Sequence, residues 1–172
     1  FWLSLAGLML YRRLVFGAQY IRGGSGIIEN LASYRVRSGG PRIVALGGGT
    51  GLSSLLRGLK SYSENITAIV TVADDGGSSG RLRSELGIPP PGDARQCLIA
   101  LSESEPLMEE MLSYRFDSGG PLQGHSMGNL LLAALADTRG SLHGGLAAAG
   151  ELLAVRGQVT PSSISPDVKL MA

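Results

Sequence analysis

From residue 42 onward the chain alternates between short apolar runs and stretches with helical spacing. Ile43-Val44-Ala45-Leu46 is a continuous apolar run, the pattern of a strand covered on both faces. Gly47-Gly48-Gly49-Thr50-Gly51 breaks it, and Leu52, Leu55, Leu56 and Leu59 then recur at i, i+3, i+4 and i+7, one face of a helix. Ile66 to Val72 is β-branched and predicts a second strand. The order strand, helix, strand implies a parallel unit with a right-handed crossover. Ala73 to Arg81 is polar and Gly-rich, which predicts a loop, and Pro89 to Pro91 keep residues 88–92 extended. Asp93 reads as an N-cap with Gln96 as its capping-box partner, opening a helix that puts Cys97 and Leu101 on one face. Pro106 begins another helix, with Leu107, Met108, Met111 and Leu112 pointing inward. Gly128 to Ala136 is apolar all round, the mark of a buried helix, and a last helix is predicted from Leu142 to Val155. No internal repeat interrupts this order.

The first 41 residues follow a different rule. Phe1 to Tyr11 is apolar and is followed by Arg12 and Arg13. Eleven helical residues reach about 16 Å, and a bilayer core needs roughly 30 Å. This segment alone is too short to span. It reads either as the end of a spanning helix, with its arginines on the cytoplasmic side, or as a buried or interfacial helix. The division expected is a membrane-proximal apolar segment (1–18), a basic Gly-rich linker (19–41) with a short helix around Ile27–Tyr34, and one domain (42–172). The expected location is cytoplasmic, with a membrane tether through the N-terminus. Phe1 in place of Met, and an ending at Asp167–Ala172 that resembles a strand just beginning, lead us to expect a fragment.

Composition narrows the classes. Charged residues make up 17% against an ordinary ~25%, and Gly, at 26 of 172, is about twice its usual ~7%. The 44% hydrophobic content excludes intrinsic disorder, and the glycines lack the three-residue period of collagen. One cysteine makes neither an internal disulfide nor a thiolate cluster. Residues 1–42 hold six Arg against one Glu, a net of +5; residues 43–172 hold nine basic and thirteen acidic groups, a net of −4. The whole chain, at +1, gives no electrostatic case for nucleic acid.

The chemistry concentrates where strands end. A Gly-rich turn between a buried strand and a helix is where anions bind in open α/β sheets, because glycines admit the ligand and free helix N–H groups face it. Gly47, Gly48, Gly49, Thr50 and Gly51 meet that context. They form neither a Walker A loop, since no Lys-Ser or Lys-Thr follows, nor a G-x-G-x-x-G fingerprint, since Leu52 stands in place of the third glycine. Asp74 and Asp75 follow the second strand, where three readings compete: a hydroxyl acceptor near a ribose, ligands for Mg²⁺, or the opening of a turn. Arg81, Arg83 and Arg95 are candidate phosphate partners. His125 stands before the buried helix as a structural residue or a pocket-rim residue, and Asn129 either offers its amide to a ligand or caps that helix. Cys97 reads as inert core, and His143 has no partner at zinc-ligand spacing.

These residues stand in a longer ordered series: Val70 through Arg83, Pro90-Pro91-Gly92-Asp93 with Arg95, Tyr114-Arg115-Phe116, and Gly124 through Leu130. Residues 42–161 resemble the YvcK/CofD-like family, and the unbroken Asp-Asp-Gly-Gly-Ser-Ser-Gly-Arg run resembles its bacterial YvcK branch, often called gluconeogenesis factors. Ala94 and Gln96 depart from the Ile and Asn more usual there. The resemblance implies a Rossmann-like three-layer α/β fold, with a parallel sheet, that binds a nucleotide. It implies either a UDP-sugar-binding regulator of cell shape and wall synthesis during gluconeogenic growth, or an enzyme like the CofD branch, a 2-phospho-L-lactate transferase using Mg²⁺. The partners it implies are a UDP-sugar or other nucleotide and cell-wall synthesis proteins, with self-association a further expectation.

Overall fold

The computed structural model describes residues 37–165 and 168, apart from 74, 75 and 118. The apolar segment, most of the linker and the Ile27–Tyr34 helix lie outside the described residues. So do Asp74, Asp75 and the chain end at 169–172.

Strands β1 (Ile43–Gly47) and β2 (Ile66–Val70) pair in parallel, Ile43 opposite Ile66 through Gly47 opposite Val70. Strand β3 (Gln158–Pro161) adds in parallel on the far side of β2, giving the order β1-β2-β3. The described residues also form helices α1 (Gly49–Leu59), α2 (Gly77–Leu86), α3 (Gly92–Leu101), α4 (Glu105–Ser113), α5 (Met127–Arg139) and α6 (Leu142–Leu152). Alternation along the strands decides the layering. Ala45, Ile66, Ala68, Val70 and Val159 face a core shared with Leu52 and Leu56 of α1, Leu98 and Leu101 of α3, and Leu142, Leu146 and Ala149 of α6.

The opposite face carries Val44 and Leu46, which remain 60% and 71% exposed. The described residues therefore cover β1 on one face only, where its apolar run led us to expect both. The described part has two layers where three were expected, because α1, α3 and α6 all pack against the same side of the sheet.

Four local readings also change. The expected loop at 73–81 becomes helix from Gly77: Ser78, Ser79 and Leu82 are buried, and Gly87 closes α2 at φ 64°. Satisfied hydroxyls and a left-handed glycine stop make a helix where composition suggests a turn. Pro91, not Asp93, occupies the N-cap of α3, and Asp93 sits in its first turn. On α4 only Leu112 is buried; Leu107 and Met111 are exposed, and with Met108, Tyr114 and Met127 they line an apolar hollow of about 500 Å³. Helix α5 is buried along one face only, through Gly128, Asn129, Leu132, Ala133 and Ala136. It meets α6 closely, since a Cβ on Gly145 would lie 2.7 Å from the Ala136 amide nitrogen.

Glu105 fastens α4 to the end of α1. Burial raises its pKa, but hydrogen bonds from Lys60 (2.7 Å) and Arg57 outweigh that and leave it below the usual carboxylate value. No helix among the described residues is long and apolar enough to cross a membrane.

Candidate functional site

The glycine loop forms as its sequence implies. Gly47 ends β1 and holds the Thr71 amide (3.0 Å), Gly48 is the N-cap, and α1 begins at Gly49 without a side-chain cap. A carboxylate already stands on one side of the loop. Asp93, from the first turn of α3, accepts from Thr71 Oγ1 at 3.4 Å. A Cβ on Gly49 would overlap Asp93 Oδ1 and lie 2.9 Å from Gln96 Oε1. A Cβ on Gly51 would meet nothing within 4 Å. The absence of side chains at Gly48 and Gly49 therefore lets α3 approach, with Asp93 as a negative group near the positive end of α1. The open side of the loop is at Gly51.

A second cluster gathers around the turn before α5. Ser126 caps that helix, accepting from the Asn129 amide at 3.2 Å, so Asn129 is not the cap. The Asn129 side chain turns inward instead. Its Nδ2 donates to Ser78 Oγ (3.1 Å) and Ser79 Oγ (3.3 Å), and its Oδ1 is buried without a partner. Ser78 Oγ lies 3.0 Å from His125 Nδ1. His125 is only 3% exposed. Burial, reinforced by Arg81 and opposed by Glu85, holds its pKa below the usual imidazole value.

Three guanidinium groups surround this turn. Arg81 Nη2 donates to the Gln123 carbonyl, and Arg115 Nη1 to the Gly124 carbonyl at 2.9 Å. Arg95 lies against Gly128 and donates to Leu112 O (3.0 Å) and Ser113 Oγ (3.3 Å) at the end of α4, where helix carbonyls favour a cation. Its Nε is buried without a partner. Burial, with Arg115 nearby, lowers the Arg95 pKa, and Glu109 opposes this. Among the described residues none of the three forms a salt bridge. The turn itself is held by paired backbone bonds, Phe116 N to His125 O and Met127 N to Tyr114 O.

The structure thus brings Arg81, His125 and Asn129 together and sets Arg95 beside them. Gly47 to Gly51 form a separate group around Asp93. Helix α3 touches both, through Asp93 and Gln96 on one side and Arg95 on the other. Arg83 donates elsewhere, to the Val168 carbonyl at 2.8 Å. Cavities of about 360, 600 and 500 Å³ lie around β3 and α6, at the N-terminal ends of the strands, and on α4; none is lined by these residues. Sequence reasoning missed Ser78, Ser79 and Arg115. Each stands inside one of the ordered motifs, but only the fold shows their partners. Among the described residues no three His, Cys, Asp or Glu side chains come together as a metal site. Asp93 is the carboxylate that the described residues bring to the loop; Asp74 and Asp75 lie outside them.

Comparison with known proteins gives the family. Residues 43–172 match the family model described as 2-phospho-L-lactate transferase CofD. The chain belongs to the YvcK/CofD-like family. Within it, the chain is 60% identical over 121 residues to a protein named gluconeogenesis factor from Halalkalibacterium halodurans, covering 70% of this chain and 38% of that one. It is 57% identical over 123 residues to the Bacillus subtilis protein of the same name, covering 72% and 39%. A crystal structure of a Bacillus halodurans protein superposes with a TM-score of 0.69 at 57% identity, over 73% of this chain and 40% of that one. The chain therefore spans well under half the length of these YvcK/CofD-like relatives.

Proposed function

We propose that the protein binds a UDP-sugar and acts without turnover, as a regulator of cell shape and wall synthesis during growth on gluconeogenic carbon sources. One observation carries the binding reading: Arg81, Arg95 and Arg115 gather around the turn at 123–128, and among the described residues none of them forms a salt bridge. Arg81 and Arg115 donate to main-chain carbonyls alone, which leaves their other N–H groups to take phosphate oxygens. The relatives' name, gluconeogenesis factor, supports the regulatory context. Gly51 supplies an open backbone approach, and Asp74 and Asp75 accept from ligand hydroxyls or hold Mg²⁺. The partners are cell-wall synthesis proteins. The working place is the cytoplasm, at the inner face of the membrane through residues 1–18, with self-association as a further property.

Calorimetry with UDP-glucose on the full-length protein tests this, alongside Arg81→Gln and Asp75→Asn. We expect saturable binding, weakened about 10- to 150-fold by loss of a charge-assisted hydrogen bond. If the Asp75→Asn loss vanishes in EDTA, the carboxylate works through Mg²⁺. Absence of saturable binding by the wild type would end the reading.

The family description favours a second reading, a transferase moving a phosphoryl-linked group from a nucleotide donor with Mg²⁺. Mg²⁺-dependent consumption of a lactonyl- or phosphoenolpyruvyl-guanosine diphosphate would replace the first reading with it. Fractionation of the full-length protein tests the tether; recovery in the soluble fraction at low salt would remove it.

A further inference from the structure

We infer that Ser78 is a positioning residue that fixes His125 as a neutral donor, and that the Asn129–Ser78–His125 chain sorts the ligand's groups by polarity. This deepens the binding site proposed above and rests on that reading for its ligand. Asn129 Nδ2 carries hydrogens only, so both serine oxygens accept from it. Ser78 has one proton left, and its remaining partner is His125 Nδ1 at 3.0 Å. Nδ1 must then be bare, and the imidazole proton sits on Nε2. The opposite tautomer would have Nδ1 donate to Ser78 as well, leaving the serine proton in a buried site with no acceptor among the described residues, an arrangement that folded proteins avoid.

The other end of the chain is equally directed. Asn129 is only 3% exposed, and its Oδ1 is buried without a donor. A buried, unpartnered carbonyl oxygen in a cluster flanked by Arg81 at His125 and Arg95 at Gly128 is a request for a ligand hydroxyl or N–H. The site thus offers acceptor oxygens of the ligand a neutral imidazole donor and the arginines, and offers a ligand donor the Asn129 oxygen. A group with both features, such as a phosphorylated sugar or a nucleoside diphosphate, satisfies it; inorganic pyrophosphate satisfies only the first.

Nitrogen-15 NMR of the full-length protein at pH 7, with His125 assigned through His125→Gln, reads the tautomer directly. We expect a protonated Nε2 and a bare Nδ1. Ser78→Ala should mix the tautomers and weaken UDP-glucose binding about 2- to 10-fold, the range of one neutral hydrogen bond, while Ser78→Thr keeps both. An Nδ1–H tautomer or an imidazolium in the wild type overturns the inference, as does Ser78→Ala with unchanged His125 resonances and affinity. The wild-type spectrum decides even where the alanine variant fails to fold. A wild type with the expected tautomer but no affinity for UDP-glucose would refute the proposed function alone.

Discussion

Replacing Gly128 with alanine should be among the more damaging single methyl additions in this protein. Gly128 lies in the first turn of α5 against the buried Arg95 side chain. An added Cβ would sit 2.6 Å from Arg95 Cδ, 3.0 Å from Arg95 Cγ and 2.8 Å from Leu112 O. Leu112 O also accepts from Arg95 Nη1, so the methyl strikes both members of one hydrogen bond. Overpacking costs about 1–3 kcal/mol, and disturbing a charge-assisted bond about 1.5–3 kcal/mol more. Alanine's helix preference returns about 0.5–1 kcal/mol. The net loss is about 1.5–5.5 kcal/mol, equivalent to a fall of roughly 3–20 °C in Tm at about 2–4 °C per kcal/mol.

Thermal and urea unfolding of the full-length protein measure it, with Gly150→Ala as the control. Gly150 is also helical, but its Cβ would meet nothing within 4 Å, so the control should gain about 0.5–1 kcal/mol. If Gly128→Ala matches or exceeds wild-type stability, the close packing of α4, α5 and Arg95 is refuted. A double-mutant cycle with Arg95→Ala should show a smaller cost for the methyl once the side chain is gone.

Gly51→Ala should leave the free protein as stable or raise it by about 0.5–1 kcal/mol, because its Cβ points into open space, yet lower UDP-glucose affinity in calorimetry. Unchanged affinity would take the ligand away from the glycine loop. His125, with its pKa held down by burial and Arg81 against Glu85, favours folding while neutral. That contribution is complete above the unfolded imidazole value of about 6.5 and is lost as pH falls through it toward the lower folded value. Denaturation between pH 7.5 and 5 should therefore show a steeper loss for wild type than for His125→Gln, and equal slopes would refute the assignment. Cys97, pushed up to about 12 by burial and then by Asp93, should resist thiol reagents at pH 8 in the native state and react only on unfolding. Native modification at the rate of a free thiol would mean that α3 opens readily.

The sequence by itself determined the strand–glycine loop–helix unit at 43–59, the second strand, and helices near 93, 106, 128 and 142. Those readings rest on apolar spacing and on Gly and Pro punctuation, which act through near neighbours. The family was legible for a related reason: its ordered motifs are contiguous stretches of chain. What failed locally failed at competition between neighbours. Gly77 to Arg81 reads as a loop until His125 and Asn129, some fifty residues away, satisfy the hydroxyls of Ser78 and Ser79.

Other features were beyond any local rule. Val44 and Leu46 carry the same apolar signal as Ala45, but only the placement of α1, α3 and α6 decides which face of β1 is covered. Arg95 reads as a phosphate partner, and the fold spends two of its donors on the end of α4. Gly49 reads as room for a ligand, and the fold fills that room with Asp93. Periodicity records how a residue relates to its own element. Whether a polar group is paired, and whether a glycine faces a ligand or a neighbouring helix, depends on atoms distant in sequence, and only tertiary packing sets those distances.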